Sequence, residues 1–254
     1  MLGTYGWDML CLDGIGVFPE KLPSPQNPSE EKAVKLVNLV TRRADLTRAA
    51  FRDYYESHHA PLGTQYFPFE KYVRNHLLDS DPQDVGFDCV MECWLDHQKA
   101  LGLLDGPAGE IFAEDEGKFM AQRALGVEVE EILLAGSPRD LDTPQLRKET
   151  LMLGRSPVLD RGAFDEKVAA FGRELSKQSG AGLMRLVFDK VTTPDTSALG
   201  ADALLTAWFK DGAGKLPQIA LPKGVTLVAR VTTQPHETTA SQLAAAFGTH
   251  TGKK

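Results

Sequence analysis

Long apolar runs are missing from this chain, and their absence excludes one large class of function. No stretch of its 254 residues approaches the roughly 18 consecutive apolar residues that cross a bilayer. Residues 1–16 also lack a cationic leader ahead of an apolar core, so a cytoplasmic protein with no membrane partner is expected. Basic charge is short as well. With 28 Lys and Arg against 35 Asp and Glu, the net charge is -7, and no basic stripe offers the counterion release that drives phosphate-backbone binding, so no nucleic-acid partner is expected. Cysteine is scarce: Cys11, Cys89 and Cys93 are an odd number with neither zinc nor redox spacing. Cys89 and Cys93 share one strand face, where Cys acts as a small buried hydrophobe.

Familiar catalytic signatures are missing too. There is no Gly-rich phosphate loop, no Gly-x-Ser-x-Gly elbow and no His-Glu-x-x-His zinc helix. The acidic run 128–131 and Asp8 and Asp13 lack calcium-loop spacing. No metal is expected. What remains is an ordinary globular composition, 42% hydrophobic and 25% charged, with enough length to bury a core as one large domain or two small ones.

The pattern divides at proline-rich and glycine-rich stretches. Residues 1–31 read as an extension and linker, with Pro23, Pro25 and Pro28. Strands are expected at 34–40, 72–78, 87–95 and 127–134, and helices at 46–59, capped by Thr47, and within 98–120, broken by Gly102, Gly106, Pro107 and Gly109. Asp79 to Pro82 reads as a turn, and Pro61 should end the first helix near the histidines. Strand, helix, strand, strand, helix, strand is the ferredoxin-like order.

That order returns after a linker at 136–144. Strands are expected at 150–153, 183–190, 203–209 and 225–232 and a helix at 161–177, while the second helix is reduced to a loop at 211–223. Phe51 and Phe164 lie 113 residues apart, Trp94 and Trp208 lie 114 apart, and Asp88 and Asp202 repeat with them. The expected fold is therefore α+β: two tandem ferredoxin-like units, 32–136 and 145–236, with antiparallel sheets packed face to face as an intramolecular α/β barrel, and a tail at 237–254. The position matching His59 is Gly172, which points to one main site, in the first unit.

Phe51-Arg52-Asp53-Tyr54-Tyr55-Glu56-Ser57-His58-His59-Ala60-Pro61-Leu62 resembles the signature of EthD-domain proteins of the dimeric α/β-barrel superfamily. The resemblance implies a barrel of two four-stranded sheets, small size, and no metal or organic cofactor. It carries the family histidine to His59 and its aromatic partners to Phe51 and Tyr54, with substrates that are aromatic or polyketide-like. Because a fused pair closes its own barrel, dimerisation loses its usual reason, yet outer helices leave a homodimer open.

On a helical wheel Phe51, Tyr55, His58 and Leu62 form one stripe, flanked by Tyr54 and His59, so two imidazoles at a helix end could act as acid and base. Strand alternation puts Tyr72, Arg74 and His76 on one face and Asp88, Glu92 and Trp94 on another, both expected to line the barrel interior. The simplest partner of Glu92 is Arg74, and a desolvated Glu92 could also hold a proton. Asn75 and His76 could bind a phenol or carbonyl oxygen. The catalytic candidates are thus His59, His58, His76 and Glu92, and the substrate-binding candidates Tyr55, Tyr54, Phe51, Tyr72, Arg74, Asn75 and Trp94. The leading expectation is a cofactor-free lyase, of dehydratase or retro-aldol type, on a phenolic molecule. The alternatives are a non-catalytic binding protein and a haem- or oxygen-dependent oxidoreductase; for haem no axial histidine stands on a regular element, because His236 and His250 fall in the expected tail.

Overall fold

In the computed structural model, residues 33–122, 126–137, 146–193, 198–210 and 214–249 are described. Cys11, the 1–31 extension, most of the 136–144 linker and His250 lie outside them. Eight antiparallel strands form a closed barrel: β1 Val34–Val40, β2 Lys71–Asp81, β3 Cys89–Leu95, β4 Val127–Gly136, β5 Arg147–Arg155, β6 Leu183–Val191, β7 Ala203–Phe209 and β8 Val225–Thr238. Neighbours around the barrel run β4, β1, β3, β2, β8, β5, β7, β6 and back to β4. Strands 5 to 8 thus follow the same relative order as strands 1 to 4.

Two helical layers pack outside. Helix α1 (Arg48–Tyr54) continues through a π-helical turn, Tyr55–His59, into α2 (Ala60–Tyr66), and α3 (His97–Leu104) and α4 (Pro107–Glu116) complete the first half. The second half carries α5 (Arg161–Gln178), and no helix occupies 214–223. A last helix, α6 (Ala240–Ala246), buries Leu243 in the first half's outer core, and the amide of Gly248 donates to the Gln65 carbonyl.

Like positions in the two halves make like contacts. Arg42 and Arg48 both pair with Asp88, and Arg155 and Arg161 both pair with Asp202. Thr47 caps α1 by accepting from the Ala50 amide, and Asp160 caps α5 by accepting from Ala163. Phe51 and Phe164 are both buried under their helices. Where the first helix carries His59, the second has Gly172, and a Cβ there would fall 2.4 Å from Leu134.

Several expectations are corrected. Pro61 does not end the first helix: it sits in the first turn of α2, where a missing N–H is tolerated, and the widened turn before it lets the Ala60 amide reach back to Tyr55. Asp79 and Asp81 are not a turn but pair with β8. His236 is not in a tail: it lies on β8 opposite Arg74 and 2.5 Å from Arg52. Of the four helix breakers, only Gly106 and Pro107 break, separating α3 from α4. Gly109 instead permits a close approach, since a Cβ there would lie 1.9 Å from the Leu104 carbonyl oxygen. Gly109→Ala is therefore expected to cost about 2–3 kcal/mol by overpacking, read as a lower midpoint in urea unfolding.

Strand register sets the two faces. Directly opposed residues share a face, and Val73 opposes Glu92 while Asn75 opposes Val90. Asn75 and Glu92 therefore point into the lumen, but Tyr72, Arg74 and His76, opposite Cys93, Met91 and Cys89, point out beneath the helices. The expectation that both polar sets line the interior is wrong for Tyr72, Arg74 and His76. Their burial is supported by Glu56 from the π-helical turn, whose carboxylate accepts from Arg74 (2.6 Å) and His76 (2.6 Å). Burial acts to raise the Glu56 pKa, and these two partners outweigh it, holding it near about 2.

A carboxyl depressed in this way stabilises the fold above its ordinary value of 4.5, and the contribution is lost as pH falls from there toward 2. Discounted for partial exposure, Glu56→Gln is expected to cost about 2 kcal/mol at pH 7 and much less at pH 3. Chemical unfolding of both proteins at the two pH values checks this.

Candidate functional site

Between the outer face of the first four strands and helices α2 to α4 lies a cavity of about 400 Å³, large enough for a small multi-ring molecule. Phe67, Phe69, Phe112, Met91, Leu101 and Leu104 are among the apolar residues of its wall. Among the expected site residues, Tyr55, His59 and Tyr72 line it.

The π-helical turn explains which histidine faces inward. Widening the turn retards the helical phase, so that Tyr55 is followed on the buried face by His59 and Ala60 rather than by His58. His58 is left exposed, stacked on Tyr54 at 4.7 Å. His59 is largely buried against Tyr55, Phe112 and Phe119.

Asp115, near the end of α4, holds His59 in place. Its Oδ2 lies 2.7 Å from His59 Nδ1, and its Oδ1 accepts from the Tyr54 hydroxyl at 2.8 Å. Burial acts to raise the Asp115 pKa, but the bonds from His59 and Tyr54 bring it below the ordinary carboxylate value. An ionised carboxylate only accepts, so Nδ1 of His59 is the donor in this bond and Nε2 is the ring nitrogen left to face the cavity side. Tyr54, pushed up to about 12 by burial and by Asp115, stays a donor.

The other candidates fall elsewhere. Phe51 is outer core, touching Tyr55, His76 and Phe119. His76 and Arg74 are clamped by Glu56. Glu92, Asn75 and Trp94 are in the lumen: Glu92 bonds Lys35 (2.9 Å) and Lys148 (2.5 Å) rather than Arg74, Asn75 donates to Glu92, and Trp94 lies under the Lys35 and Lys71 ammonium groups. Sequence reading missed Asp115, which sits on a helix it could not phase through Gly106 and Pro107. It also missed Asn38 and His97 on the cavity wall. Among the described residues no cluster of His, Cys, Asp and Glu has metal-binding geometry, and no helix is long and apolar enough to cross a membrane.

Comparison with known proteins places this geometry. The chain is similar to an anthrone oxidase-like protein of known structure, with 12% identity, 83% of this chain and 94% of that chain covered, and a TM-score of 0.50. It is also similar to a Lactobacillus acidophilus protein provisionally named a monooxygenase, at 12% identity, covering 83% and 97% of the two chains with a TM-score of 0.47. At these identities the likeness is one of fold. No curated protein sequence matches. Residues 43–123, which span α1 to α4 and so include both His59 and Asp115, match the EthD domain family.

Proposed function

We propose that the cavity binds a planar phenolic or polyketide-like molecule and that His59, oriented by Asp115, removes a proton from it as general base, committing the substrate to oxidation by dioxygen. The observation that carries this reading is the His59–Asp115 bond beside an apolar, aromatic-walled cavity. An imidazole whose Nδ1 is tied to a carboxylate is the arrangement that proton abstraction by Nε2 uses.

The chemistry closes without an external reductant. Nε2 takes a proton from an activated methylene; the carbanion, delocalised over the rings, forms a C–O bond to dioxygen, and the peroxide recovers the proton. A second abstraction at the same carbon, with O–O cleavage, gives a ketone and expels hydroxide that leaves as water. One methylene and one O₂ become one carbonyl and one water. Elimination of water, the leading expectation from sequence, also needs an acid for the departing hydroxyl. Burial holds the Tyr55 hydroxyl far above its ordinary pKa and raises Tyr72 too, so neither wall tyrosine is a ready acid for that step. The name of the anthrone oxidase-like fold neighbour is consistent with this substrate class.

The proposal extends to architecture. The repeated strand order and the matching Arg–Asp–Arg contacts support two fused ferredoxin-like units, the first catalytic and the second closing the barrel. Oxygen-electrode assays with an anthrone, in which one O₂ is consumed per ketone formed, test the reaction. Product formation without oxygen uptake would return the reading to a lyase.

A further inference from the structure

Resting on that function, we infer that Asn38 is a specificity-determining residue that accepts a hydrogen bond from a phenolic hydroxyl of the substrate, so that the preferred ligand carries a hydroxyl remote from its acidic carbon. Asn38 lies on β1, in the sheet wall of the cavity, while His59 belongs to the helical wall. Its side chain is more than nine-tenths buried, and its Oδ1 makes no hydrogen bond among the described residues. The amide is not free to turn at will. Asn38 directly opposes Met91 in the sheet, and Nδ2 is directed at Met91 Sδ at 3.8 Å, which leaves the oxygen as the unsatisfied atom.

A buried acceptor without a donor is destabilising. Its neighbours in the cavity wall, Leu36, Val40, Met91 and Cys93, offer it no strong donor. A ligand hydroxyl would supply one. Gly126 packs against the same group: a Cβ at that position would fall 2.7 Å from Asn38 Oδ1, so a larger residue there would displace the amide. A flat molecule held between sheet and helices would then present a hydroxyl to Asn38 and an acidic carbon to His59. A site built around such a bond discriminates strongly against an analogue lacking the hydroxyl.

The test compares 1,8-dihydroxyanthrone with unsubstituted anthrone on the wild-type protein, Asn38→Leu and Gly126→Ala. Binding is measured anaerobically by calorimetry and turnover by oxygen uptake. Wild type is expected to prefer the dihydroxy compound by about 100-fold in both Kd and kcat/KM. Asn38→Leu should reduce that preference below about 5-fold by weakening only the hydroxylated ligand, and Gly126→Ala should reduce it part way with Asn38 intact. A preference that survives Asn38→Leu in a folded variant overturns the assignment, as does wild-type binding that ignores the hydroxyls. Anaerobic binding decides the matter even if no oxygen is consumed, in which case the oxidation fails and the Asn38 contact stands or falls by itself.

Discussion

His59→Ala is expected to lower kcat/KM by about 1,000-fold while leaving the unfolding midpoint nearly unchanged and anaerobic ligand affinity within a few-fold. General-base contributions run from about 100- to 10,000-fold; the other imidazole on the cavity wall, His97, is bonded to Glu128. Cys93, also on the wall, is a buried thiol pushed up to about 12 by desolvation, and the tyrosine hydroxyls are raised as well. Asp115→Asn is the sharper companion. An asparagine keeps the volume but can donate to Nδ1, turning the ring to the tautomer whose Nε2 carries hydrogen. It should cost about 100-fold in kcat with little change in KM. Tyr54→Phe, which removes only the outer bond to Asp115, should cost less than 10-fold. Steady-state oxygen uptake on the three variants checks the order. Equal, mild losses in all three would mean that the pair merely packs the helix.

Much of this architecture could be read before any coordinates. Periodicity located every strand, and β1 and β7 match their expected spans residue for residue, because each is short, β-branched or aromatic, and bounded by polar breaks. Thr47 was legible as a cap for the same local reason. His59 was legible through its helix-terminal motif, although its inward direction depends on the π-helical turn, which a wheel at a fixed 100° cannot express. What the sequence concealed was long-range. Asp115 reaches His59 across 56 positions, and Glu56 meets His76 across 20; neither spacing carries a local signal. The face assigned to Tyr72, Arg74 and His76 failed on register alone, since one residue of offset between β2 and β3 exchanges lumen and exterior.

Lys35→Met should be the most destabilising of the charge removals, costing about 3–5 kcal/mol and, for a chain of this length, lowering the melting midpoint by about 10 °C. The Lys35 ammonium sits inside the barrel within 2.9 Å of Glu92, 2.8 Å of Glu131 and 2.8 Å of Asp189. Lys148 and Arg185 complete the set against Glu92 and Glu131, so three cations meet three carboxylates in the lumen. Removing one cation leaves an uncompensated buried negative charge, and the molecule can relieve it only by taking up a proton. Asp189 is the group placed to do so: fully buried, it is already raised to about 6, burial and the nearby Glu92 and Glu131 outweighing the pull of Lys35. A carboxyl raised above its ordinary 3.8 stabilises the fold while protonated, and that contribution is lost as pH rises through about 6. Without Lys35 the loss should be larger and centred at higher pH. The stability gap between Lys35→Met and wild type should therefore be widest near pH 8 and shrink by about 1–2 kcal/mol at pH 5, the same direction as the Glu56→Gln gap although the carboxyl responsible is raised rather than depressed, and urea unfolding at the two pH values measures it. A gap below about 1 kcal/mol that does not move with pH would mean that the lumen is wet enough to hydrate its charges, and the closed barrel would owe its stability to the apolar end around Val37, Met152 and Val231 alone.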